Sequence, residues 1–393
     1  MHDVLAPGLL PSAEDLRDWV RGHTVPDLPR PRPTAMAAWK WWVDEAALQI
    51  ELALGRTRVP DGSFRRRLQS ELTDAWHLFD ERGWLAAPAT YHQRPTEPLL
   101  DVDIKRARSG SYSFEHLRFT STFVPPADQP GAARWSAYRP PRTGHAWMLR
   151  HPGPPRPWVV LVNGYRTGTP DVDLASFGAQ RLHHRHGVNV ICVVMPLHGP
   201  RAIGASGSRV IHAGAMNTVF TVAHGTWDIR HVIAWLRSTF DAPAIAISGI
   251  SLGGYIAALV SGLEDDLAAV IAGVPESDLV RGLRRQMDPL LPPFYEQWGL
   301  SWEPLSQVLG VVSPLSFPCR VPADRRYIYA GLLDRWVRPG NVHTLWQHWG
   351  EGSICWYEGS HLSFAFEPSV RRYVDQAMLE TFELGDRGQS RST

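Results

Sequence analysis

The sequence predicts an α/β protein whose mainly parallel sheet is covered on both faces by helices. Two observations carry this. Four short, continuous apolar runs, WVVLVNG (158–164), VNVICVVMP (188–196), AIAIS (244–248) and LAAVIAGVP (267–275), are each followed by helical sequence. A fifth run, RYIYAGLLD (326–334), and a sixth, SICWYEGS (353–360), complete the series. Strands that are apolar throughout, rather than at every second residue, are buried on both sides, and intervening helices are what covers them. The second observation is one such helix: TWDIRHVIAWLRSTF (226–240) places Ile229, Val232, Ile233, Leu236 and Phe240 along one face.

The elements before and between these runs follow from the same patterns. Residues 1–33 hold one short helix, with Ser12 as its N-cap, and then the Pro-rich VPDLPRPRP. From Thr34 a helical pattern sets Trp39, Trp42, Val43, Ala46, Ile50 and Leu54 at three- and four-residue spacings, and this apolar face is expected to pack on the main domain. Another helix is expected over Phe64 to Glu81. After about residue 110 the period becomes two: SYSFEHLRFTSTFV (111–124) alternates as an exposed antiparallel strand does, and GHAWMLRH (144–151) is a second. Residues 200–225 read as a long connection. Residues 276–324 are rich in Pro and Trp and read as a lid.

Composition narrows the function classes. With 44% hydrophobic and 20% charged residues, the 393-residue chain can build a substantial core. Its formal net charge of +1 and short Arg clusters exclude a nucleic-acid-binding surface of the usual kind. No apolar run reaches the roughly 18 residues that a membrane span needs. The N-terminus lacks the basic start and long apolar stretch of a signal peptide, so a cytoplasmic, reducing setting is expected. Three scattered cysteines suit neither a disulfide framework nor a zinc site, and Cys192, inside an apolar strand, should be a buried small hydrophobe. Asp171 and Asp173 in GTPDVDL lack the downstream Glu of a calcium loop. The histidines of LHHRHG (182–187) end a helix with no acidic neighbour in sequence. Neither metal nor cofactor is expected.

The chemistry concentrates where AIAIS ends. Gly249-Ile250-Ser251-Leu252-Gly253 joins an apolar strand to an Ala/Leu-rich helix, and small residues at both flanks let the helix pass close to the strand. Such a turn holds the serine hydroxyl out at the strand's C-terminal edge, beside the N–H groups of a helix start. A serine needs an adjacent base. His361, in YEGSHLSF, follows the last apolar strand, and Asp334 ends the strand before it. Ser251, Asp334 and His361 therefore fall at three strand ends in the order nucleophile, acid, base, with Glu276 and Asp278 as the alternative acids. Two backbone donors are expected to receive an oxyanion: Leu252 N–H, directly after the serine, and Tyr165 N–H, in the Asn163-Gly164-Tyr165 turn after WVVLV.

On these residues the chain from about 111 to 385 resembles an α/β-hydrolase superfamily serine hydrolase of the esterase/lipase-like kind. The resemblance implies an eight-stranded sheet and an acyl-enzyme mechanism without a cofactor. Many members carry His-Gly at the oxyanion loop, where this chain has Asn163-Gly164. MPLHGPR (195–201) resembles a strand-end motif of several members, in which His198 and Arg201 either face the pocket or make structural hydrogen bonds. The domain organisation expected is a helical N-terminal extension (1–110), the first part of the core (111–275), a lid (276–324), the rest of the core with acid and base (325–385) and a flexible tail (386–393). The substrate expected is a small-molecule ester. Asn163, His198, Trp298 and Trp302 are the pocket candidates. Acyltransfer or thioester cleavage at the same site, and a non-catalytic binding protein on the same fold, are the other readings.

Overall fold

The computed structural model describes residues 28–56, 62–211, 213–282 and 302–382. The short helix expected near Ser12, the pocket candidate Trp298 and the C-terminal tail lie outside these residues.

Among the described residues nine strands form one sheet in the order β1-β2-β3-β5-β4-β6-β7-β8-β9. β4 (Trp158–Val162), β5 (Asn189–Val193), β6 (Ile245–Ile250), β7 (Ala269–Gly273), β8 (Arg326–Gly331) and β9 (Ser353–Tyr357) are parallel and coincide with the six apolar runs. β2 (Tyr112–Thr120) and β3 (Thr143–Leu149) are the two antiparallel strands that the alternation predicts. β1 (Leu100–Ser109) is one strand more than the eight expected. It pairs antiparallel with β2 across a tight turn at Gly110-Ser111, and residues 100–109 therefore belong to the sheet and not to a helical extension. As an edge strand it leaves most of its side chains in water, and so it carries no core pattern to read.

β4, β5, β6 and β7 bury both of their faces, for the reason given by their apolar runs, whereas β9 at the sheet edge is only half-buried. Val160 and Val162, with Ile191, Ile247 and Val270, face one layer of helices: α2 (Gly62–Glu81), α5 (Ala215–Phe240), α6 (Leu252–Leu263), α7 (Trp302–Gly310) and α8 (Pro339–His348). Val159 and Leu161, with Val190, Ala246 and Ile271, face the other: α3 (Pro170–Ser176), α4 (Ala179–His186) and α9 (Pro368–Phe382). Cys192 is fully buried in the second layer, as its place in a strand predicts.

Three further elements depart from the sequence reading. α5 begins at Ala215, so the second half of the expected long connection is helix. That half, AMNTVFTVAHG, is buried on every side and has no amphipathic period to announce it. His186 at the end of α4 does have an acidic partner, Asp375 of α9 at 2.7 Å, which lies 189 residues away in sequence.

The third departure is α1 (Ala35–Arg56). Of the face expected to pack, Trp39 is 54% and Ile50 63% exposed, while Trp42, Val43 and Ala46 are half-buried. The inward stripe is instead Ala37, Trp41, Asp44, Leu48 and Glu51, spaced four, three, four and three. Of these Ala37, Asp44 and Leu48 are buried. An inward stripe that includes two acids must find donors for them, and α1 finds these in the loops at the C-terminal edge of the sheet.

Candidate active site

β4 and β6 are neighbours in the sheet although β5 comes between them in sequence, so the chain reverses direction across the sheet at this point. In such sheets ligands bind beyond the carboxyl ends of the strands where the order reverses. The two loops that leave this point are the Asn163-Gly164-Tyr165 turn and the Ser251 turn.

Ser251 has φ 58° and ψ −117°, a backbone conformation that costs a non-glycine residue about 1–3 kcal/mol. Packing holds it there. A Cβ added at Gly249 would lie 1.9 Å from the Gly253 carbonyl oxygen, and one at Gly253 would lie 2.0 Å from that of Val162. Both neighbours are backbone and cannot move aside, so the two glycines let α6 start against the ends of β6 and β4. Ser251 N–H donates to the Gly273 carbonyl at 2.8 Å, which fixes the turn to β7.

The base and acid loops arrive from the same edge. Leu333 N–H donates to the Gly359 carbonyl at 2.9 Å and joins the two loops. His361 Nε2 lies 3.0 Å from Ser251 Oγ, and His361 Nδ1 lies 2.7 Å from Asp334 Oδ2. The other Asp334 oxygen accepts the N–H groups of Trp336 (2.9 Å) and Val337 (2.7 Å). Asp334 is 1% and His361 6% exposed, and Trp336 lies parallel to the imidazole with ring centres 6.1 Å apart. Burial pushes the Asp334 carboxyl up to about 6, with the His361 charge working against that rise. Burial also works to lower His361, but Asp334, Asp44 and Glu276 outweigh it and the imidazole is raised above its ordinary 6.5. The arrangement can draw a proton from a serine hydroxyl and stabilise the imidazolium that results.

The alternative acids are engaged elsewhere. Glu276 accepts from Asn341 Nδ2 at 2.7 Å and from two of its own loop's N–H groups, and Asp278 accepts from Arg281 N–H at 2.9 Å. A second Ser–His–Asp cluster is buried where Ser121, directly after β2, meets His224 and Asp228 of α5. There the serine hydroxyl sits 2.5 Å from the carboxylate itself, and Arg201 pairs with that carboxylate at 2.7 Å. His224 Nε2 lies 2.7 Å from Ser121 Oγ, but the hydroxyl donates to Asp228, Arg201 faces the same imidazole nitrogen at 3.1 Å, and all of these side chains are buried.

The Asn163 turn lies beside Ser251: a Cβ at Gly164 would be 3.9 Å from Ser251 Cβ. Leu252 opens α6, and the first N–H groups of a helix have no carbonyl of their own turn to bond. Asn163 is buried, with its amide donating to the Gly164 carbonyl (3.0 Å) and to Thr167 Oγ1 (3.2 Å) and accepting from Met195 N–H (2.8 Å). It therefore braces the turn from behind. His198 is fully buried against the Tyr165 ring, donates from Nδ1 to the Pro196 carbonyl at 2.9 Å, and is held neutral by burial, which lowers it to about 4. Arg201 bonds the Val194 and Pro141 carbonyls as well as Asp228. Trp302 opens α7 and packs against the main core, where α7 meets α2 and α5.

Two residues of the site were missed by sequence reasoning, and both lie on α1. Asp44 is 0% exposed, and its carboxylate accepts the N–H groups of His361 (2.5 Å), Leu362 (3.0 Å) and Arg335 (3.3 Å). Glu51 accepts from Tyr165 Oη (3.0 Å) and from Arg166 (2.6 Å), on the turn beside Ser251. Their partners are more than a hundred residues away, so no local signal could have found them.

The sheet order, the strained turn at Ser251 and the strand-end positions of Asp334 and His361 define an α/β-hydrolase fold. Acetyl xylan esterase 1 from Thermoanaerobacterium sp. JW/SL YS485 shares that fold, with a TM-score of 0.52 and 18% identity over 78% of this chain and 93% of that one. Within this fold the chain belongs to the family of two Mycobacterium tuberculosis proteins, "Uncharacterized protein Rv2627c" and "Uncharacterized protein MT2702". It is 37% identical to each over 378 residues, which cover 95% of this chain and 89% of theirs. No family model matches the chain.

Proposed function

We propose that the protein is a serine hydrolase that cleaves a small-molecule carboxylic ester through an acyl-enzyme. One observation carries the reading: His361 bridges Ser251 Oγ and Asp334 Oδ2 at 3.0 and 2.7 Å, within hydrogen-bond reach on both sides. Ser251 Oγ attacks the carbonyl carbon while His361 Nε2 takes its proton. Leu252 and Tyr165 N–H receive the oxyanion. Collapse breaks the bond to the alkoxy group, which leaves as an alcohol with the proton from His361. Water then gives a proton to His361 and attacks the acyl carbon; the acid departs and Ser251 recovers its hydrogen. Asp334 holds the imidazole in the tautomer this sequence needs and stabilises its cation. The α/β-hydrolase fold, on which the acetyl xylan esterase is also built, supports ester chemistry at the level of fold.

Hydrolysis of p-nitrophenyl acetate tests the reading. Wild type should turn the ester over with a burst of p-nitrophenol where deacylation is slow, and Ser251→Ala should reduce turnover to background with an unchanged melting temperature. Equal turnover in the two proteins would overturn it.

A further inference from the structure

α1 lies outside the strand–helix alternation of the hydrolase core, yet it touches the site twice. Its Asp44 meets the base loop and its Glu51 meets the turn beside the nucleophile. They lie seven positions apart on the helix, a span of about 10 Å. Other α1 contacts fall on the same loops: Lys40 pairs with Glu367 at 2.5 Å and Glu45 with Arg335 at 2.6 Å.

Asp44 is the unusual member. A carboxylate with no exposure is costly to bury unless its oxygens are satisfied, and here three backbone N–H groups satisfy them. Two of those groups belong to His361 and to the residue after it, and the third belongs to the residue after Asp334. The same oxygen, Oδ2, takes both His361 N–H and Arg335 N–H, so one atom ties the acid loop to the base loop.

We propose that Asp44 is a positioning residue for the reaction: its buried carboxylate fixes the backbone of both loops so that the His361 imidazole stays in line between Asp334 and Ser251. The inference rests on the serine-hydrolase reading above. It gives α1 a catalytic reason to be present, with Glu51 holding the opposite wall of the site through Tyr165 and Arg166.

Charge supplies the readout that a purely structural role would leave alone. The charged groups around His361 are Asp334 at its Nδ1, Asp44 at its backbone and Glu276 after β7. Beside the same loops lie the Arg335–Glu45 and Lys40–Glu367 pairs. Asp44 raises the imidazole, and the base must be neutral to act. Removing the charge therefore moves the acid limb of the rate profile to lower pH.

The test uses the full chain and p-nitrophenyl acetate across pH 5 to 9, with melting temperature and fluorophosphonate labelling rate measured in parallel. Asp44→Asn should lower kcat tenfold or more with KM within about twofold, and shift the acid limb of kcat/KM to lower pH. Asp44→Glu keeps the charge but displaces it, so it should lower kcat with the limb unmoved. If Asp44→Asn does not fold, Asp44→Glu and amide exchange of the wild type carry the test: His361 and Leu362 N–H should be strongly protected. A folded Asp44→Asn with kcat within twofold and an unmoved limb would overturn the inference, as would unprotected amides. The failure of the underlying reading looks different, because then the wild type itself takes no fluorophosphonate label.

Discussion

At the scale of single residues, Asp334 and Glu276 are two buried carboxyls at neighbouring strand ends, and their partners separate their roles. Asp334 is bonded to the imidazole, and Glu276 to Asn341 and its own loop. Asp334→Asn should therefore lower kcat/KM by up to ~10⁴, the size of loss seen when a triad acid loses its charge. Glu276→Gln keeps an oxygen for the same three donors and should stay within about tenfold of wild type; the reverse ranking would move the acid to the end of β7. Glu276 also predicts a pH effect on stability. Burial pushes its carboxyl up to about 7 from the ordinary 4.5. A carboxyl raised by folding stabilises the native state while protonated, so its contribution is full below about pH 4.5 and is lost as pH rises through about 7. The melting temperature of wild type relative to Glu276→Gln should fall across that window and be flat below it. A difference independent of pH would contradict the assignment. The meeting of Ser251, Asp334 and His361 was legible in the sequence because each follows an apolar strand. Asp44 was not, since an acid in a helix reads as a solvated side chain until its partners 291 to 318 residues away are in place.

At the scale of elements, α1 carries the clearest lesson. Its tryptophans suggested an apolar face toward the core, and spacing alone supported that choice. The face that packs is chosen instead by what the loops offer, namely bare N–H groups that need acceptors. The two faces differ in a measurable way. Leu48→Ala should cost about 2–5 kcal/mol, as for a buried leucine, whereas Ile50→Ala should change stability by no more than about 0.5 kcal/mol and Trp39→Ala, which gives up its stacking on Trp42, by about 0.5–1.5 kcal/mol. Urea unfolding of the three variants decides it, and equal losses at all three positions would restore the face read from the sequence. β1 and the start of α5 escaped notice for opposite reasons. β1 is too exposed to show a buried pattern, and the first half of α5 too buried to show a polar face.

At the scale of the whole molecule, the strand order does the organising. The six parallel strands were readable as apolar runs, but their order in the sheet was not, because pairing depends on crossovers that leave no mark on any one strand. That order sets the β4 and β6 loops side by side and brings the β8 and β9 loops to the same edge, so residues from 163 to 361 meet around one serine. α1 then closes the arrangement from outside the core. The central claim is that Ser251 is a nucleophile activated by His361. Its most direct test is intact-protein and peptide mass spectrometry after treatment with a fluorophosphonate. A nucleophilic Ser251 gives a single adduct, located at Ser251, absent from Ser251→Ala and formed far more slowly in His361→Ala. An unlabelled wild type, or an adduct that persists in Ser251→Ala, would contradict it.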